Sequence, residues 1–267
     1  MQAPETVREP AVAGLFYPDD PAALRREVRA LMSGATAPAP ERPAPKALIA
    51  PHAGYRYSGP VAASAYAALG AAVAHIRRVV LLGPSHRVPF RGIAATGAGA
   101  YRTPLGAIPV DQAANASIRD LPGVVTLDLA HGPEHSLEVH LPFLQLLLDD
   151  FALVPLVVGD ADPNQVTAVL ERLWGGPETL IVVSSDLSHY HGYRTAQSLD
   201  AETCRAIESM REDMLTPDRA CGCRPLAGLL RAGRAHGLTV HTLDLRNSGD
   251  TAGPRTEVVG YGAWTLQ

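Results

Sequence analysis

With 267 residues, 46% of them hydrophobic, the chain can bury a substantial core as one α/β unit. A formal charge of -4, with no Lys/Arg-rich run, argues against nucleic acid or an anionic membrane as a partner. The densest apolar stretch, Phe151 to Val158, is interrupted by Pro155 and falls far short of the ~18 residues that indicate a membrane span. Met1 to Pro10 carries Glu5, Arg8 and Glu9 and no apolar core, so no secretory signal is expected. Cys204, Cys221 and Cys223 then read as thiols of a reducing cytoplasm rather than as disulfide staples.

In chain order, Asp19-Asp20-Pro21 followed by Leu24, Val28, Leu31 and Met32 predicts a capped amphipathic helix. Residues 35–45, with Pro38, Pro40, Pro43 and Pro45, predict an irregular connector. Strands then alternate with helices. A strand over 47–50 precedes the alanine-rich helix Pro60 to Ala72, and a second strand covers 79–82. A run around Leu153 to Val158 precedes the helix Pro163 to Leu173, and a strand over 180–183 precedes the helix Ala196 to Met210. This alternation predicts βαβ crossovers and therefore an α/β fold: one domain over 1–267, with a mostly parallel central sheet flanked by helices. Leu238 to Leu245 and Val258 to Leu266 lack that spacing and are expected as antiparallel or edge strands.

Three of the strand runs end in a turn and then a histidine: Pro51-His52, Gly83-Pro84-Ser85-His86, and Ser184-Ser185-Asp186-Leu187-Ser188-His189. Open α/β sheets bind ligands at the carboxyl edge of their strands. Imidazole is both the commonest metal ligand and the side chain best suited to proton transfer near neutral pH. Each histidine alone also fits a hydrogen-bonded structural role; their repetition at successive strand ends points to a site. Asp186 can fix a histidine tautomer or ligate a metal, the alternative being a turn that caps the next helix.

Glu134-His135-Ser136-Leu137-Glu138-Val139-His140 sets Glu134 and Glu138 on one helical face but lacks the His-Glu-x-x-His of zinc proteases. A capping glutamate with solvent-facing charges is one reading; entry of Glu134 or His135 into the site is the other. Cys221-Gly222-Cys223 ahead of the apolar helix Leu226 to Leu230 is a weak metal signal, although a thiolate gains from a helix start. His75, His236 and His241 read as ordinary structural or surface residues.

Taken together, Ala13-Gly14-Leu15-Phe16-Tyr17-Pro18, the Pro51-His52-Ala53-Gly54-Tyr55 and Gly83-Pro84-Ser85-His86 turns, Tyr101-Arg102-Thr103-Pro104-Leu105, the Glu134 to Phe143 motif, Val182 to Tyr190, Cys221-Gly222 and Val258-Val259-Gly260-Tyr261 closely resemble the Memo family. The resemblance runs from about Pro10 to the C-terminus. It implies a fold like that of the class III, LigB-type extradiol dioxygenases, with a non-haem iron pocket. It also implies association with an AMMECR-type protein and a radical SAM protein, the AmmeMemoRadiSam system. Carried over by position, the metal ligands fall on His52, His86 and Cys221, with Asp186 and His189 beside them; together with His135 from the Glu134 motif, His189 and Asp186 are the candidate catalytic groups. Iron (Fe2+) is the expected cofactor and copper the alternative, because a thiolate in place of the ring-cleaving enzymes' carboxylate is the softer donor.

Three functions follow as expectations. The first is a redox-metal protein whose dioxygenase-like pocket takes a small aromatic or peptide ligand, with Asp186 orienting a ligand and His189 moving a proton. The second is a non-catalytic recognition protein that binds a peptide or partner through the same pocket. The third, a hydrolase using Ser85 or Ser185, ranks last because neither serine lies in Gly-x-Ser-x-Gly.

Overall fold

The computed structural model describes residues 6–35 and 43–267, so the connector expected over 35–45 lies mostly outside the described residues. The strands are β1 (Val7–Arg8), β2 (Ala47–Ala50), β3 (Arg78–Pro84), β4 (Ile93–Ala95), β5 (Ala100–Thr103), β6 (Gly106–Pro109), β7 (Val124–Thr126), β8 (Ala152–Val158), β9 (Thr179–Ser184), β10 (His189–His191), β11 (Val240–Asn247) and β12 (Val258–Leu266). The main sheet runs β10-β12-β2-β9-β3-β8-β4-β7, with β11 on the other side of β12. A small second sheet is ordered β1-β5-β6.

The central strands β2, β9, β3 and β8 are parallel to one another, as the alternation of elements predicts. β12 joins β2 and β4 joins β8 antiparallel, while the outermost β7 is again parallel to β4, so the whole sheet is mixed. The reason is the length of the connections. A parallel neighbour needs a crossover of a dozen or more residues, whereas only eight residues separate Pro84 from Ile93 and β4 runs back against β8. β11 and β12 form the antiparallel pair expected of the two C-terminal runs.

Within the core, strand alternation sends neighbouring residues to opposite faces. Ile49, Val80, Leu82, Ile181 and Val183 pack on one side with the helices Pro163–Leu173, Tyr193–Glu208 and Cys223–Ala235. Leu48, Val79, Leu81, Leu180 and Val182 pack on the other with Pro21–Ser33, Tyr55–Ala67 and Leu141–Leu147. Burial on both faces is why these strands read as unbroken apolar runs.

The first helix is capped as predicted, with the Asp20 side chain accepting from the Ala23 amide. The second begins earlier than the sequence implies, at Tyr55, with Pro60 inside it rather than at its start. Tertiary anchoring explains this: the Tyr55 amide donates to the Phe16 carbonyl, and the Tyr55 hydroxyl to the Val139 carbonyl. Among the described residues no helix is long and apolar enough to cross a membrane.

Candidate metal centre

His52 follows β2 and His86 follows β3, at the same carboxyl edge, and β9 lies between those two strands. The two imidazoles nevertheless meet across the end of β9, with ring centroids 5.1 Å apart. His135, from the turn ahead of the Glu138–His140 helical turn, stacks on His86 at 4.8 Å and meets His52 edge-on at 5.6 Å. One nitrogen from each of these three histidines lies within 4.8 Å of the other two. They sit on a cavity of about 660 Å³ that Asp186 and His189 also line, with Phe16, Tyr57, Tyr190 and Tyr261 among its walls.

Cys221 also reaches His52, its Sγ 3.3 Å from His52 Nε2. The Asp186 amide donates to this sulfur at 3.3 Å. Gly222 makes the approach possible. A Cβ there would stand 2.5 Å from the Ser184 carbonyl oxygen and 2.7 Å from Ser185 Cβ, so only glycine lets the turn lie against the end of β9. A tetrahedral ion with bonds of about 2.0 Å to nitrogen and about 2.3 Å to sulfur sets those two ligand atoms about 3.5 Å apart. The observed nitrogen–sulfur spacing therefore fits a shared metal. His135 adds a second sign of fit: its Nδ1 is buried with no hydrogen-bond partner.

Burial shifts most of the site's titratable groups toward their neutral forms. Burial, reinforced by the neighbouring imidazoles, holds His52 far below the usual histidine range. Burial likewise brings His135 down to about 4 and lowers His189. Burial raises the Asp186 carboxyl to about 7 against the opposing hydrogen bond from the His52 amide. The Cys221 thiol is pushed up by burial and by Asp186. Burial also acts to raise Glu134, but hydrogen bonding and charge from His86 and the Ser136 amide bring it down to about 2. A cation entering this cluster meets the lone pairs of the neutral His52 and His135 rings, which is what ligation requires.

The profile of the family described as Memo-like protein matches residues 8–265. The chain belongs to the Memo family. A MEMO1 family protein of Methanothermobacter thermautotrophicus is 36% identical, covering 96% of this chain and 98% of its own length. Another from Aeropyrum pernix is 37% identical over the same shares, and one from Aquifex aeolicus is 35% identical over 96% and 97%. In fold the chain resembles the crystal structure of an uncharacterized protein from Escherichia coli K12. That likeness has a TM-score of 0.51 at 16% identity and covers 80% of this chain and 98% of the other.

In this Memo family member, the sequence-predicted residues His52, His86, His135, Asp186 and His189 share one cavity, and Cys221, outside its lining, touches His52 Nε2. His189 lines the cavity without joining the three-histidine group, and Cys221, the third ligand expected from the sequence, does not join it either; His135 takes that place. The reading of Glu134 and Glu138 as solvent-facing charges on a helix face is corrected by the structure: both are buried, and Glu134 lies between the Asp128–His131 helix and the Glu138–His140 helical turn. Glu134 accepts from both the amide and Nδ1 of His86, at 2.5 and 2.9 Å. Glu138 accepts from Arg8, the Ala11 and Val12 amides and the Tyr17 hydroxyl, tying down the N-terminal segment that brings Phe16 to the cavity.

Sequence reasoning met Ser184 and His140 inside their motifs but gave neither a role. Ser184 Oγ lies 2.5 Å from His52 Nδ1 and 2.9 Å from His140 Nε2. The available signal was position alone: Ser184 closes the strand between the two histidine-bearing strands. Ser85 and Ser185 donate to the carbonyls of Val88 and Asp186 instead of pairing with an imidazole, which leaves the hydrolase reading without a base.

Proposed function

We propose that the protein holds a redox-active metal ion through His52, His86 and Cys221, iron first and copper as the alternative, beside a cavity for a small aromatic or peptide ligand. The observation that carries this reading is the 3.3 Å contact between His52 Nε2 and Cys221 Sγ beside a second strand-end imidazole. Bound there, such an ion would supply electron transfer or activation of a ligand in its open positions. The chain's own residues do the rest. Glu134 orients His86 by accepting a hydrogen bond from its Nδ1–H, leaving the Nε2 lone pair free for a metal. Asp186 fixes the turn after β2 through the His52 amide, and its upward-shifted carboxyl can hold a proton near neutrality. His189, half-buried on the cavity wall, is placed to give or take a proton from a ligand. Phe16, Tyr57 and Tyr261 offer aromatic walls.

Metal analysis of freshly purified protein tests the reading. Near-stoichiometric iron or copper in the wild type, lost in His52→Ala and in His86→Ala with the fold retained, is the expected result. Metal content unchanged by both substitutions, or none after anaerobic loading, overturns it. A second reading, recognition of a peptide or partner, draws on the cavity rim, where Leu15 is 79% exposed and Tyr190 73% exposed. Ligand binding that persists undiminished in a metal-free His52→Ala variant would favour it.

A further inference from the structure

We propose that Ser184 and His140 are positioning residues that lock His52 in one tautomer, with the proton on Nδ1 and the Nε2 lone pair directed at the metal position before any ion arrives. The inference rests on the metal reading for its purpose, but the lock itself follows from counting protons.

Ser184 Oγ has three close partners: the Ser136 carbonyl at 2.7 Å, His52 Nδ1 at 2.5 Å and His140 Nε2 at 2.9 Å. A hydroxyl has one proton and two lone pairs. The carbonyl can only accept, so the single Ser184 proton goes to Ser136. Both ring nitrogens must then donate into the two remaining lone pairs. His140, with its proton on Nε2, has its lone pair on Nδ1, and the Tyr66 hydroxyl donates there at 2.9 Å. Every one of these groups is buried and none is left unpaired. The other tautomer of His140 would keep its contact with the Tyr66 oxygen but strand the one with Ser184, because that hydroxyl would need a second proton. The arrangement is thus closed in one direction, ending at a phenol that has no further acceptor to serve.

For His52 the consequence is specific. With Nδ1 committed as a donor, the neutral ring has its lone pair on Nε2, the atom 3.3 Å from Cys221 Sγ. The thiol proton can occupy that lone pair in the metal-free protein, and an ion replaces it. The neighbouring ligand is locked by a different device, the Glu134 carboxylate on His86 Nδ1. One short segment joins the two locks: the Ser136 amide donates to Glu134 while its carbonyl accepts from Ser184. Glu134 to His140 therefore sets both strand-end imidazoles from behind, an anionic partner for one and a neutral hydroxyl for the other. Fixing a ligating ring in its tautomer through the nitrogen that does not bind metal is worth about 10- to 100-fold in affinity.

The test is histidine side-chain 15N NMR of the metal-free full chain, together with Co2+ titration of the wild type, Ser184→Ala, His140→Leu and His140→Gln. The expected wild-type spectrum shows His52 with a protonated Nδ1 and a bare Nε2. Ser184→Ala should scramble that signature and weaken Co2+ binding about 10- to 100-fold. His140→Leu should weaken it in the same direction, while His140→Gln, whose amide can still donate to Ser184, should recover most of the affinity. If Ser184→Ala fails to fold, the His140 pair carries the comparison. A wild-type His52 protonated on Nε2, or Ser184→Ala and His140→Leu both binding Co2+ within twofold of wild type, overturns the proposal. A wild type with the Nδ1 proton that takes up no Co2+ supports the lock and overturns the metal reading, so the two failures are separable.

Discussion

Glu134 holds His86 at two points, one carboxylate oxygen on its backbone amide at 2.5 Å and the other on Nδ1 at 2.9 Å. The same carboxylate also takes the amides of His135 and Ser136, so it is saturated and 1% exposed. Glu134→Gln keeps the shape but replaces an acceptor with a donor, and that donor faces an amide or an imidazole proton. Metal affinity should fall about 10- to 100-fold, measured by competition with a chromophoric chelator. Affinity equal to wild type would show that His86 needs no such anchor.

Arg8 and Glu138 form a buried ion pair, 4% and 0% exposed at their side chains, between the N-terminal strand and the turn beneath the cavity. Removing one member leaves the other charge buried and unpaired. Glu138→Ala should lower unfolding free energy by about 3–5 kcal/mol, read from urea denaturation. It should also loosen the segment carrying Leu15 and Phe16, which Glu138 fastens through the Ala11 and Val12 amides and the Tyr17 hydroxyl. A loss below 1 kcal/mol would contradict this assignment.

Gly222→Ala should act through space rather than through the backbone conformation, since φ at Gly222 is an ordinary -88°. Its new Cβ would overlap the Ser184 carbonyl and Ser185, at 2.5 and 2.7 Å. Relief requires the Cys221 turn to move away from β9. The variant should lose about 1–3 kcal/mol and should bind metal more weakly. Full stability with unchanged metal binding would show that the turn can move away from β9 without cost.

Stability should fall as the solution is acidified below the ordinary histidine range. Burial lowers His131 to about 4 and His140 to about 3, against 6.5 for the unperturbed group. A depressed histidine favours the neutral folded form, so below 6.5 unfolding takes up protons. The stabilisation present above 6.5 is then lost progressively as pH falls toward those folded values. Unfolding at a series of pH values on metal-free protein should show the uptake. His140→Gln should reduce the slope; a slope untouched by it would assign the effect elsewhere.

The fold was legible wherever a single period governs the residues. Leu48 with Ile49, or Val182 with Val183, belong to strands buried on both faces, and such runs announce themselves as continuous apolar segments. The start of the second helix was not legible, because the bonds from Tyr55 to Phe16 and Val139 join residues far apart in the chain and outweigh a local proline signal. The candidate site divides in the same way. His52, His86 and His189 are visible as strand-end punctuation. Ser184 and His140 are chemically ordinary in sequence and acquire their meaning only when β9 lies between the two histidine-bearing strands. Glu138 reads as a surface charge until Arg8, 130 residues away, is folded against it.

The central claim, a metal ion shared by His52, His86 and Cys221, is tested most directly by X-ray absorption at the metal edge of protein loaded anaerobically with Fe2+. The account predicts one sulfur scatterer beside at least two imidazoles in the wild type, with the sulfur shell gone in Cys221→Ala and imidazole scattering diminished in His86→Ala. A wild-type shell of nitrogen and oxygen alone that loses an imidazole in His135→Ala would contradict it and place the ion in the three-histidine group instead.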